Sequence, residues 1–150
     1  MGEVRDKKIA DAISVYTKRL PHYFPFSMDC LRDVKTTKGT TQQRQKEMEG
    51  EKFLAEIAPA DFVVLLDERG KEFSSREFAD FISRKSLDLP RNLILVIGGP
   101  YGFSQAVYSR ADMLISLSRM TFPHELVRLF LAEQLYRAAS INAGEPYHHD

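Results

Sequence analysis

Apolar residues follow two rhythms along this chain. Between Arg5 and Leu20, the residues Ile9, Ile13, Tyr16 and Leu20 recur at three- and four-residue steps. That spacing puts them on one face of a helix, and Pro21 ends it. Gln42–Ile57 reads as a second, strongly charged helix whose core contribution is Phe53, Leu54 and Ile57, with Pro59 beyond it. Ser74 and Glu77 stand as a capping box for a third helix through about Lys85, with Phe78, Phe81 and Ile82 turned inward. Ser104 caps a short helix to Arg110, and Pro123 suits the first residue of a last helix running to about Ile141.

The second rhythm is continuous. Asp61–Asp67 (DFVVLLD), Asn92–Ile97 and Met113–Leu117 (MLISL) are short unbroken apolar runs, the pattern of strands buried on both faces. Phe24–Val34 alternates instead, with Phe26, Met28 and Cys30 spaced as in a half-buried strand. Polar breaks separate these runs: Lys35–Thr41, the turn Glu68-Arg69-Gly70-Lys71, the glycine run Gly98–Gly102 and the loop Arg119–Pro123. Strands alternating with helices predict an α/β fold, a mainly parallel sheet with helices on both faces. In such sheets ligands bind beyond the carboxyl ends of the strands. Asp67–Lys71, Gly98–Phe103 and Ser118–Pro123 are therefore expected together at one ligand-binding edge.

Composition narrows the class. At 150 residues the chain suits one domain. Lys plus Arg equal Asp plus Glu at 21 each, so no broad basic face is available to coat nucleic acid nonspecifically. Local recognition of a folded RNA stays open. No apolar run reaches the roughly 18 residues of a membrane helix, and the charged start does not resemble a secretory signal. The single Cys30 fits a reducing compartment. The expectation is a cytoplasmic protein with no membrane contact.

Candidate chemistry sits toward the carboxyl end. Gly98-Gly99-Pro100-Tyr101-Gly102 is either a loop that lets backbone approach a ligand or a plain tight turn. Ser118–His124 offers backbone N–H groups and hydroxyls that hold a ligand edge or simply cap a helix. On the last helix, His124, Arg128, Leu131 or Ala132, and Leu135 share one rough face; Val127, Phe130, Leu131, Gln134 and Leu135 read as nearer the core. Glu133 and Arg137 have the spacing of a surface ion pair, although Arg128 or Arg137 could instead meet an RNA phosphate. Adjacent His148 and His149 do not make a zinc site without further ligands, and no metal is expected. Neither a Walker loop nor a Ser-His-Asp arrangement is present.

Taken in order, IGGPYGFS (Ile97–Ser104), LSRMTFPHELVR (Leu117–Arg128), EQLYRA (Glu133–Ala138) and EPYHHD (Glu145–Asp150) resemble the RlmH family of the SPOUT class of knotted methyltransferases. LLDERGKEFSS (Leu65–Ser75) is similar to its middle motif, so the resemblance covers almost the whole chain. It implies methylation of N3 of a pseudouridine in helix 69 of 23S rRNA on the assembled ribosome. It also implies a C-terminal trefoil knot, an exception to the rule against threaded connections. S-adenosylmethionine is the implied cofactor, and a homodimer completes each site. By matching motif, Leu66, Gly98, Leu117, Ser118, Arg119, Met120, Thr121 and Phe122 are expected to bind the cofactor. His124, Arg128 and Glu133 are expected on the substrate side, with Tyr147, His148 and Arg137 as catalytic candidates. Tyr147 or His148 would take the imide proton or stabilise its anion.

One feature departs from the family. Its members begin with an apolar strand before the glycine matching Gly2, whereas this chain reads Met1-Gly2-Glu3. Either the start lies upstream or the sheet lacks that strand and exposes an edge. Two rival readings are a non-catalytic ribosome-binding module of the same fold and an α/β enzyme using another nucleotide. The second lacks a phosphate loop.

Overall fold

The structure is a computed structural model that describes residues 2–87 and 92–148. The order of elements is α1 (Lys7–Thr17), α2 (Gln42–Glu56), β1 (Phe62–Glu72), α3 (Ser75–Ser86), β2 (Leu93–Ile97), α4 (Gln105–Arg110), β3 (Met113–Ser116) and α5 (His124–Asn142). A turn of 3₁₀ helix, Leu20–His22, follows α1 with Pro21 inside it. The proline that ends α1 thus tightens the chain instead of releasing it into a loop.

Helix ends form where the sequence supplies acceptors. Asp6 accepts from Lys8 and Ile9 at the head of α1, and Thr41 accepts from Arg44 at α2. Ser74 and Glu77 make the reciprocal box at α3, and Ser104 accepts from Val107 at α4. Pro123 stands one residue outside α5 and offers no side-chain cap.

Among the described residues three strands form a parallel sheet in the order β2-β1-β3, with the longest strand at the centre. Alternation along the strands divides the core in two. Val64 packs with Ile115, Phe78, Phe81, Leu131 and Leu135 of one core, while Val63, Leu65 and Val96 join Phe53, Phe103 and Val107 in the other. Helices α3 and α5 therefore cover one face, and α2 and α4 the other. This is why the strand sequences read as continuous apolar runs: successive residues enter different apolar cores.

Two expectations about secondary structure need correction. Phe24–Val34 forms no strand. The Lys52 ammonium takes the carbonyls of Arg32 and Asp33 at 2.7 and 3.2 Å, and Gly2 N–H takes that of Leu31 at 2.9 Å. Those acceptors are spent on single contacts and not on a ladder, so Phe26 and Met28 are half-buried while Cys30 is exposed. The second correction concerns Glu68–Lys71, which does not end β1. The strand bulges, with Leu66 and Lys71 both opposite Ile115, and then resumes pairing with Glu72 opposite Ser116. Bulges of this kind re-aim side chains at the rim of a sheet.

Helix α5 is buried along nearly its whole second half, including Leu135, Tyr136, Ala138, Ala139 and Ser140. Its inner face carries Arg128, Leu131, Ala132 and Leu135. Phe130, read from the sequence as nearer the core, is 39% exposed. Among the described residues, no helix is long and apolar enough to cross a membrane.

Candidate functional site

The carboxyl edge of the sheet carries an open cavity of about 270 Å³ lined by Phe73, Phe78, Ile115, Ser116, Leu117, Phe122, Phe130 and Gln134. Its walls come from the ends of β1 and β3, from α3 and from α5. Phe122 meets Phe130 edge to face at 5.2 Å, which ties the loop after β3 to the helix that follows. In that loop Ser116 Oγ donates to the Ser118 carbonyl at 2.9 Å, and Ser118 Oγ accepts the Met120 N–H at 3.0 Å.

The cofactor candidates are only partly gathered here. Leu117 and Phe122 line the cavity, and Ser118 shapes the loop between them. Arg119 points outward, 3.5 Å from Glu72 in an exposed ion pair, and Met120 and Thr121 are exposed. Leu66 packs against the core beneath the cavity. Gly98 lies on the other side of the sheet edge, against the ring of Phe103.

Next to Gly98 stands a feature that the sequence reading missed. Glu49 of α2 is only 4% exposed. Its Oε1 accepts from the Gln45 amide at 2.9 Å, while Oε2 is buried without a hydrogen-bond partner. A Cβ at Gly99 would fall 2.3 Å from that oxygen, so the loop backbone lies close against the carboxylate. A charged residue in a strongly charged helix looked like solvated surface. Its spacing carries the signal: Glu49 stands four residues before Phe53 and eight before Ile57, on the helix face that bears them.

At the other end of α5 the sequence candidates converge. Glu133 Oε1 accepts from Arg137 Nη2 and, at 3.2 Å, from the Tyr147 hydroxyl. Glu133 Oε2 accepts from Gln134, a cavity residue, at 2.6 Å. The Arg137 guanidinium lies over the Tyr147 ring at 5.0 Å, and its Nη1 is 3.2 Å from His148 Nδ1. Arginine only donates, so Nδ1 is the acceptor in this contact. Tyr147 also packs edge to face on Tyr136 at 4.8 Å, which anchors the tail. The bland reading of Glu133 and Arg137 as a solvated pair is thereby corrected: their side chains are 18% and 25% exposed.

Burial and neighbouring charge act on two groups of this cluster. Burial, with the neighbouring Tyr16 and Glu133, pushes the Tyr147 phenol far above its usual range. Glu133 pushes the Arg137 guanidinium still higher, against the effect of its partial burial. At neutral pH Tyr147 is a phenol and Arg137 a cation.

The remaining candidates lie apart. His124 is exposed at the head of α5. Arg128 is 4% exposed and lines a second cavity of about 340 Å³ with Glu3, Ile13, Met28 and Cys30. That cavity lies between α5 and α1. Among the described residues no group of three metal-ligating side chains assembles.

A third polar cluster braces the bulge in β1. Asp67 accepts from the Arg69 backbone and guanidinium at 2.9 to 3.1 Å and from the Tyr108 hydroxyl. Arg69, with Tyr108, holds the Asp67 carboxyl down at about 2. Its folded value lies below the ordinary 3.8 of an unfolded chain, so its contribution is complete above about pH 4 and is lost as pH falls toward 2. Asp67→Asn is expected to flatten the acid limb of stability in that window, measured by urea melts from pH 5 to 2. An unchanged limb would show that the cluster is not coupled to folding.

Comparison with known proteins fits this architecture. A family model described as "Predicted SPOUT methyltransferase" matches residues 1–148. The chain is 49% identical over 150 residues to Ribosomal RNA large subunit methyltransferase H of Parabacteroides distasonis, covering 100% of this chain and 96% of that protein. It is 50% identical over 149 residues to the protein of that name from Christiangramia forsetii, covering 99% and 95%. For the Porphyromonas gingivalis protein (strain ATCC 33277) the figures are 47% over 150 residues, 100% and 96%. The chain belongs to the SPOUT methyltransferases, and within them to the RlmH family. It is a methyltransferase.

Proposed function

We propose that this methyltransferase uses S-adenosylmethionine to methylate N3 of a pseudouridine in helix 69 of 23S rRNA, within the assembled ribosome. One observation carries the reading: Arg137, Tyr147 and His148 form a cluster around Glu133, which is joined through Gln134 to the cavity walled by Leu117 and Phe122. The names of the relatives point to large-subunit rRNA as substrate.

The residues fit the cofactor. The cavity is apolar with Ser116 and Gln134 as polar exceptions, which suits a flat heterocycle with few polar edges. The orphaned Glu49 oxygen and the cradle at Gly99 add an acceptor beside the glycine loop. Leu66, Gly98 and Leu117 through Phe122 would hold the cofactor. When bound, S-adenosylmethionine supplies a methyl group on a sulfonium sulfur, which keeps the bonding pair as the methyl passes in line to N3.

The chain's own groups deal with the imide, which is nucleophilic only after N3 loses its proton. Tyr147 stays protonated and donates to Glu133, so it is not the base. His148 has its Nδ1 engaged by Arg137. Glu133 has both oxygens occupied. Arg137 is the cation placed to stabilise the imide anion and so to favour loss of the proton to water. Tyr147 and His148 fix its orientation.

The rest of the reading follows from family membership. The chain is one SPOUT domain over residues 1–150, with the C-terminal helix threaded as a trefoil knot. It works in the cytoplasm as a homodimer whose partner copy covers exposed apolar groups such as Phe130 and Met120. The test is transfer of labelled methyl to intact ribosomes and, separately, to naked 23S rRNA. Label is expected at N3 of the helix 69 pseudouridine in ribosomes. No label in either substrate overturns the proposal.

A further inference from the structure

We infer that Glu49 is the negative group of the cofactor site and makes this chain prefer a cationic sulfonium ligand over its neutral thioether product. This rests on the S-adenosylmethionine reading above and adds to it a residue and a selectivity.

The argument starts from cost. A carboxylate removed from water is expensive unless paired or fully hydrogen-bonded. Glu49 is 96% buried, by its 4% exposure, yet has one hydrogen bond, from the neutral Gln45, and an empty Oε2. Among the described residues no cation forms an ion pair with it. A side chain that served packing alone would be better as glutamine or leucine. Such an unsatisfied buried group calls for a reason, and a functional charge beside a ligand is one.

Position says which ligand. Oε2 lies directly beneath Gly99, and the next residue of the helix, Gly50, lies against Ser104 Oγ, where a Cβ would fall 2.3 Å from the hydroxyl. Helix α2 is thus docked along the loop Gly99–Ser104 by a glutamate and a glycine, at the carboxyl end of β2. This is the edge at which open α/β sheets bind ligands. The site needs a negative charge for only one of its two small-molecule states, because the cofactor is a cation at sulfur and the demethylated product is not. A buried carboxylate acts on that difference at low dielectric without touching the sulfur. It favours loading of the cofactor and release of the product.

The experiment is calorimetric titration of S-adenosylmethionine and S-adenosylhomocysteine into the full chain and into Glu49→Gln and Glu49→Asp. In Glu49→Gln the ratio of product Kd to cofactor Kd is expected to fall at least tenfold, whereas Glu49→Asp keeps it within about threefold of wild type. Glu49→Gln also removes an under-satisfied buried charge, so its thermal midpoint is expected to equal or exceed that of wild type. A purely structural glutamate predicts the reverse. An unchanged ratio, an equal weakening of both ligands, or a Glu49→Gln protein that melts lower or does not fold each overturns the inference while leaving the cofactor assignment standing. Failure of the wild-type chain to bind either ligand overturns both.

Discussion

Gly70→Ala is expected to destabilise the protein by about 3 kcal/mol or more, a magnitude typical of forced overpacking against an unyielding neighbour. A Cβ at this position would fall 2.5 Å from both the Ile115 carbonyl carbon and its nitrogen, and 2.6 Å from the Leu114 carbonyl carbon. All three are backbone atoms of β3, so no side chain can swing away to make room. Relief requires the bulged half of β1 to lift off β3, which gives up the pairing of Lys71 with Ile115 and of Glu72 with Ser116. For a domain of this size the loss corresponds to a fall in thermal midpoint of roughly 6 to 12 °C. A thermal melt that moves by less than 2 °C would show that β1 is free to separate there.

Arg137→Ala is expected to lower kcat for methyl transfer by roughly 10² to 10³, the range seen when one preorganised donor to a developing anion is removed. Affinity for S-adenosylmethionine should stay within about threefold, because the guanidinium is held by Glu133, Tyr147 and His148 and does not line the cavity. Arg137→Lys should recover little. An ammonium keeps the charge but lacks the planar fork that meets Glu133 and His148 at once. Single-turnover rates with ribosomes and calorimetric binding of the cofactor check the two halves. A variant that turns over within threefold of wild type would remove Arg137 from the chemistry.

The two variants separate parts of the molecule that were unequally legible. The strands around Val64, Leu95 and Ile115 were readable because a strand buried on both faces must be apolar at every position. Capping at Ser74 and Ser104 was readable because it depends on residues three apart. The bulge at Gly70 was not. A glycine among charged residues looks the same whether it turns a chain or lets a strand lie against its neighbour's backbone. Likewise, the alternation of Phe26, Met28 and Cys30 implied a strand, but β structure needs a partner, and Lys52 and Gly2 took carbonyls that such a ladder would have used.

The site divides in the same way. Sequence order alone determined the family, and through it the candidates Arg137, Tyr147, His148 and Glu133, because ordered motifs persist whatever their geometry. Their roles were decided by tertiary structure. Protonation depends on burial and on neighbours brought in from elsewhere, as Tyr16 of α1 and Glu133 are brought to Tyr147. Glu49 is the extreme case. Its identity is plain in the sequence, yet its meaning arises only where α2 meets the glycine loop after β2. Local patterns are written by contacts within a few residues, whereas a buried charge acquires its energy from everything packed around it.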